Sequence, residues 1–275
     1  MQPKRRKWAL LFLVVFVGVC TTLIVRTIQL QQADKALLAA IKCDDTPAVL
    51  AALHEGADPN VRDFSGGSPL SLREDWERFL AKLRQHDARL TPSPYPTALM
   101  VHLNASHNDN PTLVTALLDA GADPNLTGSE FEETPLMWAA NRFCPQTLHI
   151  LLAHGGRVNQ KNTQGETPLS YAFLANDVKA GQTLLDTGAD IHDVTVQGQT
   201  LAECAVENNR PEMLAILLPH HPNRSECSTL LDWVISEQDC YARYDDAAKD
   251  YHEVISLLRQ AGAKTSQELD ASAKH

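Results

Sequence analysis

Two short words recur along this chain in a fixed order, and that recurrence constrains its fold more than any other feature. Thr134-Pro135-Leu136 returns as Thr167-Pro168-Leu169, and Gly56-Ala57-Asp58 returns as Gly121-Ala122-Asp123 and Gly188-Ala189-Asp190. Gly121 and Gly155 lie 34 positions apart, Gly155 and Gly188 lie 33 apart, and Thr134, Thr167 and Thr200 follow one another at 33. A period of this length marks a stack of similar units, each touching mainly its neighbours, rather than one globule closed around a single core. The apolar fraction of 44% is that of a folded chain.

Each word has a physical reading. Thr ahead of a first helical turn accepts hydrogen bonds from amides that have no partner within the helix. Pro in the next place loses nothing by lacking an N–H. The small pair Ala139-Ala140 lets neighbouring helices approach closely. A second apolar run, Leu148 to Leu152, reads as a second helix, and Gly155-Gly156 supplies the left-handed residue that ends it. On these residues the chain resembles the ankyrin repeat. The resemblance implies an all-α solenoid of about six to seven helix–turn–helix units. It also implies a concave groove built from turn tips and the exposed sides of the first helices.

Four units follow directly, at residues 97–125, 126–159, 160–192 and 193–222. The ends are looser. Residues 35–60 carry Leu37-Leu38-Ala39-Ala40 and Gly56-Ala57-Asp58 but no Thr-Pro-Leu, as a capping unit does. The last unit pairs Ser228-Thr229-Leu230-Leu231 with residues 254–258 across an insertion at 239–249. The repeat domain spans 35–264, and 265–275 reads as a flexible tail. Residues 64–96 break the rhythm. Ser68-Pro69-Leu70 opens like a unit, Trp76, Phe79, Leu80 and Leu83 share one helical stripe, and the prolines of 91–96 force extended backbone. The stretch reads either as a degenerate repeat or as a repeat-sized insertion.

Ahead of the repeats, residues 8–25 read WALLFLVVFVGVCTTLIV without a charge. As a helix this run is about 27 Å long, enough for one transmembrane crossing. Lys4, Arg5, Arg6 and Lys7 make residues 1–7 a basic, cytoplasmic amino terminus, and 26–34 read as a linker. A cleaved signal peptide is the rival reading, but no small-x-small cleavage pair closes the run. Either way the body lies across the membrane, periplasmic if the source is bacterial. The five cysteines outside this run are an odd number without a Cys-x-x-Cys pair, so compartment rests on the anchor rather than on thiol chemistry.

Net charge is −10 although four positive charges precede the apolar run, so the body is strongly acidic and nucleic acid is excluded as a partner. No phosphate-cradling loop, nucleophile elbow or zinc-hydrolase helix occurs, and the histidines do not stand at ligand spacing; the reading is non-catalytic, with no cofactor and no metal. A protein partner is expected on the groove and tips. The fourth place after each opening Thr holds Val101, Trp138, Tyr171, Cys204 and Trp233, so Trp138, Tyr171 and Trp233 are candidate contacts, with packing between units as the competing use. The unlike tips add Phe64, Glu130, Phe131, Glu132, Lys161, Gln164 and Val196. The chain thus reads as a membrane-anchored protein–protein interaction module outside the cytoplasm, and a scaffold or a toxin-immunity protein meeting a toxin or envelope enzyme both suit it. The alternative is an enzyme or enzyme-accessory protein using segments 64–96 and 239–249; a third reading is structural self-assembly at the membrane.

Overall fold

The computed structural model describes residues 21, 25–63, 96–105, 109–192, 198–220, 224–244 and 251–273. Among the described residues six helix pairs stack in order. They are α1 (25–42) with α2 (Thr46–His54), α3 (Ala98–Ala105) with α4 (Pro111–Asp119), and α5 (Pro135–Asn141) with α6 (Pro145–Ala153). They continue as α7 (Pro168–Ala175) with α8 (Val178–Asp186), α9 (Leu201–Glu207) with α10 (Pro211–Leu217), and α11 (Arg224–Tyr244) with α12 (His252–Gln260). From α3 onward first helices pack on first helices, and second helices pack on second helices throughout. The core is therefore a line of Leu, Ala, Val and Met side chains between the two layers rather than a central mass.

The repeated words do what their chemistry requires. The Thr134, Thr167 and Thr200 hydroxyls accept the Met137, Ser170 and Glu203 amides, and Ser170 and Glu203 side chains return the bond to the Thr amides. Ala139 and Ala140 are buried where α5 meets its neighbours. Gly121, with φ +96°, ends α4 in a backbone region that side-chain-bearing residues avoid, and the other turn glycines repeat this. Each turn is then tied to the next. Asn60 donates to the Gly121 carbonyl and accepts from the Asp123 amide; Asn125 does the same to Gly155 and Arg157, and Asn159 to Gly188 and Asp190. In the first unit Asp34, on α1, accepts the Asp58 amide and so begins this ladder.

Asn60 reaches the turn at Gly121 as directly as Asn125 reaches Gly155, so the turn after α2 and the turn after α4 are immediate neighbours. Arg62 and Thr97 form an antiparallel bridge, with Asp63 donating to Pro96 at 2.9 Å and Ala98 donating to Val61 at 3.0 Å. The described residues on either side of 64–95 thus meet at one point of the stack. Residues 64–95 lie outside those described, as do 245–250 of the later segment.

Two terminal segments differ from expectation. The stretch expected as a linker, 26–34, is helical and continuous with the first unit, because Ala33, Leu37 and Ile41 give α1 a buried stripe. The stretch expected as a tail carries helix α13 (Ser266–Ala273), capped by Thr265 and held to Asp232 through the Ser266 amide at 3.1 Å. Apart from Thr21 and Val25, the apolar run 8–25 lies outside the described residues; among the described residues no helix is long and apolar enough to cross a membrane.

Candidate interaction face

One carboxylate, Glu133, joins the first helices of two successive units. Glu133 ends the loop ahead of α5 and accepts Trp138 Nε1–H at 3.1 Å through one oxygen and the Tyr171 hydroxyl through the other. It thereby ties an aromatic of its own unit to an aromatic of the next. Asn162 supports the far side, donating to the Tyr171 oxygen at 3.2 Å and to Glu166 at 3.1 Å while its carbonyl oxygen accepts the Gln164 and Glu166 amides. Burial first, then Glu133, pushes the Tyr171 hydroxyl's titration far up, so it stays a donor. One turn along α5, the Arg142 guanidinium lies 5.6 Å from the Trp138 ring centre and donates to Asn104 of the preceding unit at 2.9 Å. Trp138 is half-buried, gripped at its N–H and covered on one face by a cation.

The aromatic slot is therefore not one surface. Tyr171 is buried, and its ring and hydroxyl serve packing between units, the use that competed with contact at this position. Val101 and Cys204 are buried too. Trp138 and Trp233 keep accessible surface, Trp233 with 36% exposed. Among the tips, Phe131 is 46% exposed; its carbonyl accepts the Thr163 amide at 2.9 Å and hydroxyl at 3.1 Å, so the backbone is locked while the ring projects. Glu130, Lys161 and Gln164 are exposed, and Glu132 is half-buried with φ +56°. Phe64 and Val196 lie outside the described residues.

Three residues that matter here are not among the expected contacts, although Glu133 and Asn162 fall within the unlike tips. Glu133 had a signal, because the recurring word is four residues long: Glu133-Thr134-Pro135-Leu136 and Glu166-Thr167-Pro168-Leu169. Asn162 had only its place in the tip 161–164, and Phe143 had none. Phe143 sits at the corner between α5 and α6 with φ +57° and 58% of its surface exposed, where other units place Asp44, Asn176 or Asn209. A bulky residue in that region is strained by roughly 1–2 kcal/mol.

Burial raises the thiols of Cys144, to about 11, and of Cys204 and Cys227, so all three stay protonated. All three are free, as is the exposed Cys43. Among the described residues no three His, Cys, Asp or Glu side chains are placed to hold a metal ion. A shallow open depression between α2 and α4, lined by Leu50, Pro111 and Thr115, lies on the second-helix layer and shares no residue with the Glu133 cluster.

Comparison with known proteins agrees with this geometry. Residues 101–195 match the family model described as ankyrin repeats in three copies. The ankyrin repeat protein YahD of Escherichia coli K12 is 30% identical over 188 residues, covering 66% of this chain and 93% of YahD. Protein PhlB of Serratia liquefaciens is 32% identical over 181 residues, covering 64% of this chain and 77% of PhlB. A mitochondrial disaggregase of Bos taurus is 31% identical over 186 residues, but this chain spans only 22% of that protein's length.

Proposed function

The chain belongs to the ankyrin-repeat family, and on that footing we propose that it is a non-catalytic protein–protein interaction module held outside the cytoplasm by residues 8–25. The observation that carries the interaction reading is the Trp138–Arg142 pair on the inner face. Glu133 fixes the indole from one edge and Arg142 covers it from above, so the contact surface is ordered before any partner arrives. Ordering in advance lowers the entropic cost of association. Phe131 on a locked loop and Trp233 further along extend the same use of aromatics as anchors. The anchor reading is supported by the uncharged run and its basic flank. A partner that is a toxin or envelope enzyme suits an acidic, tethered module, because a negative field steers a basic partner.

Two measurements test this. A phosphatase fused after His275 should be active, since such a reporter works only outside the cytoplasm; activity of a cytoplasm-dependent reporter at the same junction would refute the topology. Affinity capture of the full chain from membranes should recover one stoichiometric protein. Trp138→Ala with Arg142→Ala should abolish that recovery while leaving helicity and melting temperature near those of the parent. Undiminished recovery sinks the inner-face reading.

A further inference from the structure

We propose that the tip ahead of α5 is a docking knob: the Phe131 ring, flanked by the Glu130 and Glu132 carboxylates, enters a cleft on the partner that has an apolar floor and a rim of lysine or arginine side chains. This rests on the protein-partner reading above and adds a second contact surface, with the chemistry of what it meets.

The tip departs from its neighbours in two adjacent residues. The next two units spell Gln164-Gly165-Glu166-Thr167 and Gln197-Gly198-Gln199-Thr200, where this one spells Phe131-Glu132-Glu133-Thr134. Gly165 and Gly198 have φ +83° and +77°, and Glu132 takes the same left-handed backbone at φ +56°. A side chain in that region costs stability that glycine does not lose. The segment is also one residue longer: Gly121 and Thr134 lie 13 positions apart, whereas Gly155 and Thr167, and Gly188 and Thr200, lie 12 apart. None of these changes serves the helix that follows, which is capped by its Thr in the same way in all three units. Strain kept at an exposed tip without a folding use points to contact with something else.

The knob is ordered before contact. The Glu132 amide donates to the Ser129 carbonyl at 3.1 Å, the Glu133 amide to the Ser129 hydroxyl at 3.0 Å, and the Gly128 amide to the Glu133 carbonyl at 3.3 Å. The next tip holds it from the side, through the Thr163 amide and hydroxyl on the Phe131 carbonyl. The ring is nonetheless 46% exposed. A fixed backbone under an exposed ring lowers the ordering cost of burying that ring in a partner. Glu130 is exposed and Glu132 half-buried, and among the described residues neither carboxylate has an ion pair or a hydrogen bond. Apolar surface closing over the ring also strips water from these two carboxylates. Desolvating them unpaired is costly, so the rim of the cleft must supply cations. A second copy of this chain, with its net charge of −10, or an anionic lipid surface presents the wrong sign.

The test places the photoreactive residue benzoylphenylalanine at Phe131, and for comparison at Gln164, in the full chain in its own membranes. Illumination should cross-link position 131 to a protein about tenfold more than position 164, and the cross-linked peptide should carry Lys or Arg beside apolar residues. Phe131→Gln with Glu132→Gly, which restores the spelling of the neighbouring tips, should lower partner recovery about thirtyfold and leave the melting temperature equal or higher. Glu130→Gln with Glu132→Gln should lower recovery about tenfold at low salt and only about twofold at roughly 0.5 M salt, because the rim contacts are screened. Recovery that survives Phe131→Gln with Glu132→Gly but is lost with Trp138→Ala and Arg142→Ala overturns the knob and leaves the inner-face reading standing. A cross-link to lipid, to a second copy or to a peptide without a cation also overturns it. A parent chain that recovers no protein overturns both readings.

Discussion

Along the turn edge one side chain per unit does one job: Asn60, Asn125 and Asn159 each bridge a glycine carbonyl and an amide of the next turn. Along the corner edge the units solve the same problem differently. Helix α2 is capped by its own Asp45 and α8 by its own Asp177. Helix α4 is capped by Asn110, which also donates to Asp44 of the unit before at 2.8 Å. Helix α6 has no cap of its own; Asp109, from the preceding unit, accepts the Gln146 amide at 2.7 Å and the Thr147 amide at 3.1 Å. Helix α10 also lacks a side-chain cap, and Arg210 at that place instead donates back to the Phe173 carbonyl. A periodic edge can be built from a repeated word. An aperiodic edge needs partners from neighbouring units, and is free to carry individual features such as Phe143.

The contrast can be broken at several points. Asp109→Ala removes a charged cap shared by two amides and the Thr147 hydroxyl; it should cost about 2–3 kcal/mol in urea unfolding, and Asp109→Asn should recover part of that. A loss confined to a few tenths of a kcal/mol would show that the corner edge is not held by cross-unit caps. Asn125→Ala removes two partly exposed ladder bonds and should cost about 1–2 kcal/mol, with faster amide exchange at Arg157 as its local sign. Replacing 64–95 with a short glycine-containing turn should shift stability by about 1 kcal/mol or less, because Arg62 and Thr97 are already joined. Loss of cooperative unfolding in that deletion would mean that 64–95 takes part in the stack.

Smaller effects sharpen the corner edge. His102 is buried, and burial lowers its titration against the opposing pull of Asp44, 3.8 Å away, and Asp109. The folded chain therefore resists protonating it. The contribution is complete above the ordinary histidine value near 6.5 and is lost as pH falls from there toward the lower folded-state value. His102→Gln should flatten that part of the stability–pH curve; an unchanged slope would place the titration elsewhere. Phe143→Asn should raise stability by about 0.5–1 kcal/mol, since Asn tolerates the left-handed backbone. If it also weakens partner capture, the strain at Phe143 is kept for binding; if capture is untouched, the ring has no part in it.

Much of this was legible because short-range chemistry repeats. Thr, Pro, Gly and the Ala pair each act within a few residues of their own position, so their spacing announces helices and turns before any packing is known. Cross-unit partners leave no such trace. Tyr171 looks like an exposed contact by position, yet it is buried because Glu133 and Asn162 offer its hydroxyl two partners from 38 and 9 residues away. Residues 64–95 can be read two ways because their length is close to one period; that the turns on either side of them are neighbours shows only in the Asn60–Gly121 bond.

By itself, then, the sequence determined the repeating helix pair, its turn and its caps, because those depend on contacts within one period. The tertiary structure alone decided which aromatics stay accessible, which turns are neighbours, and that 25–34 ahead of the first unit are helix. Each of these depends on what a neighbouring unit presents, and a stack buries its inter-unit faces whatever their local spelling.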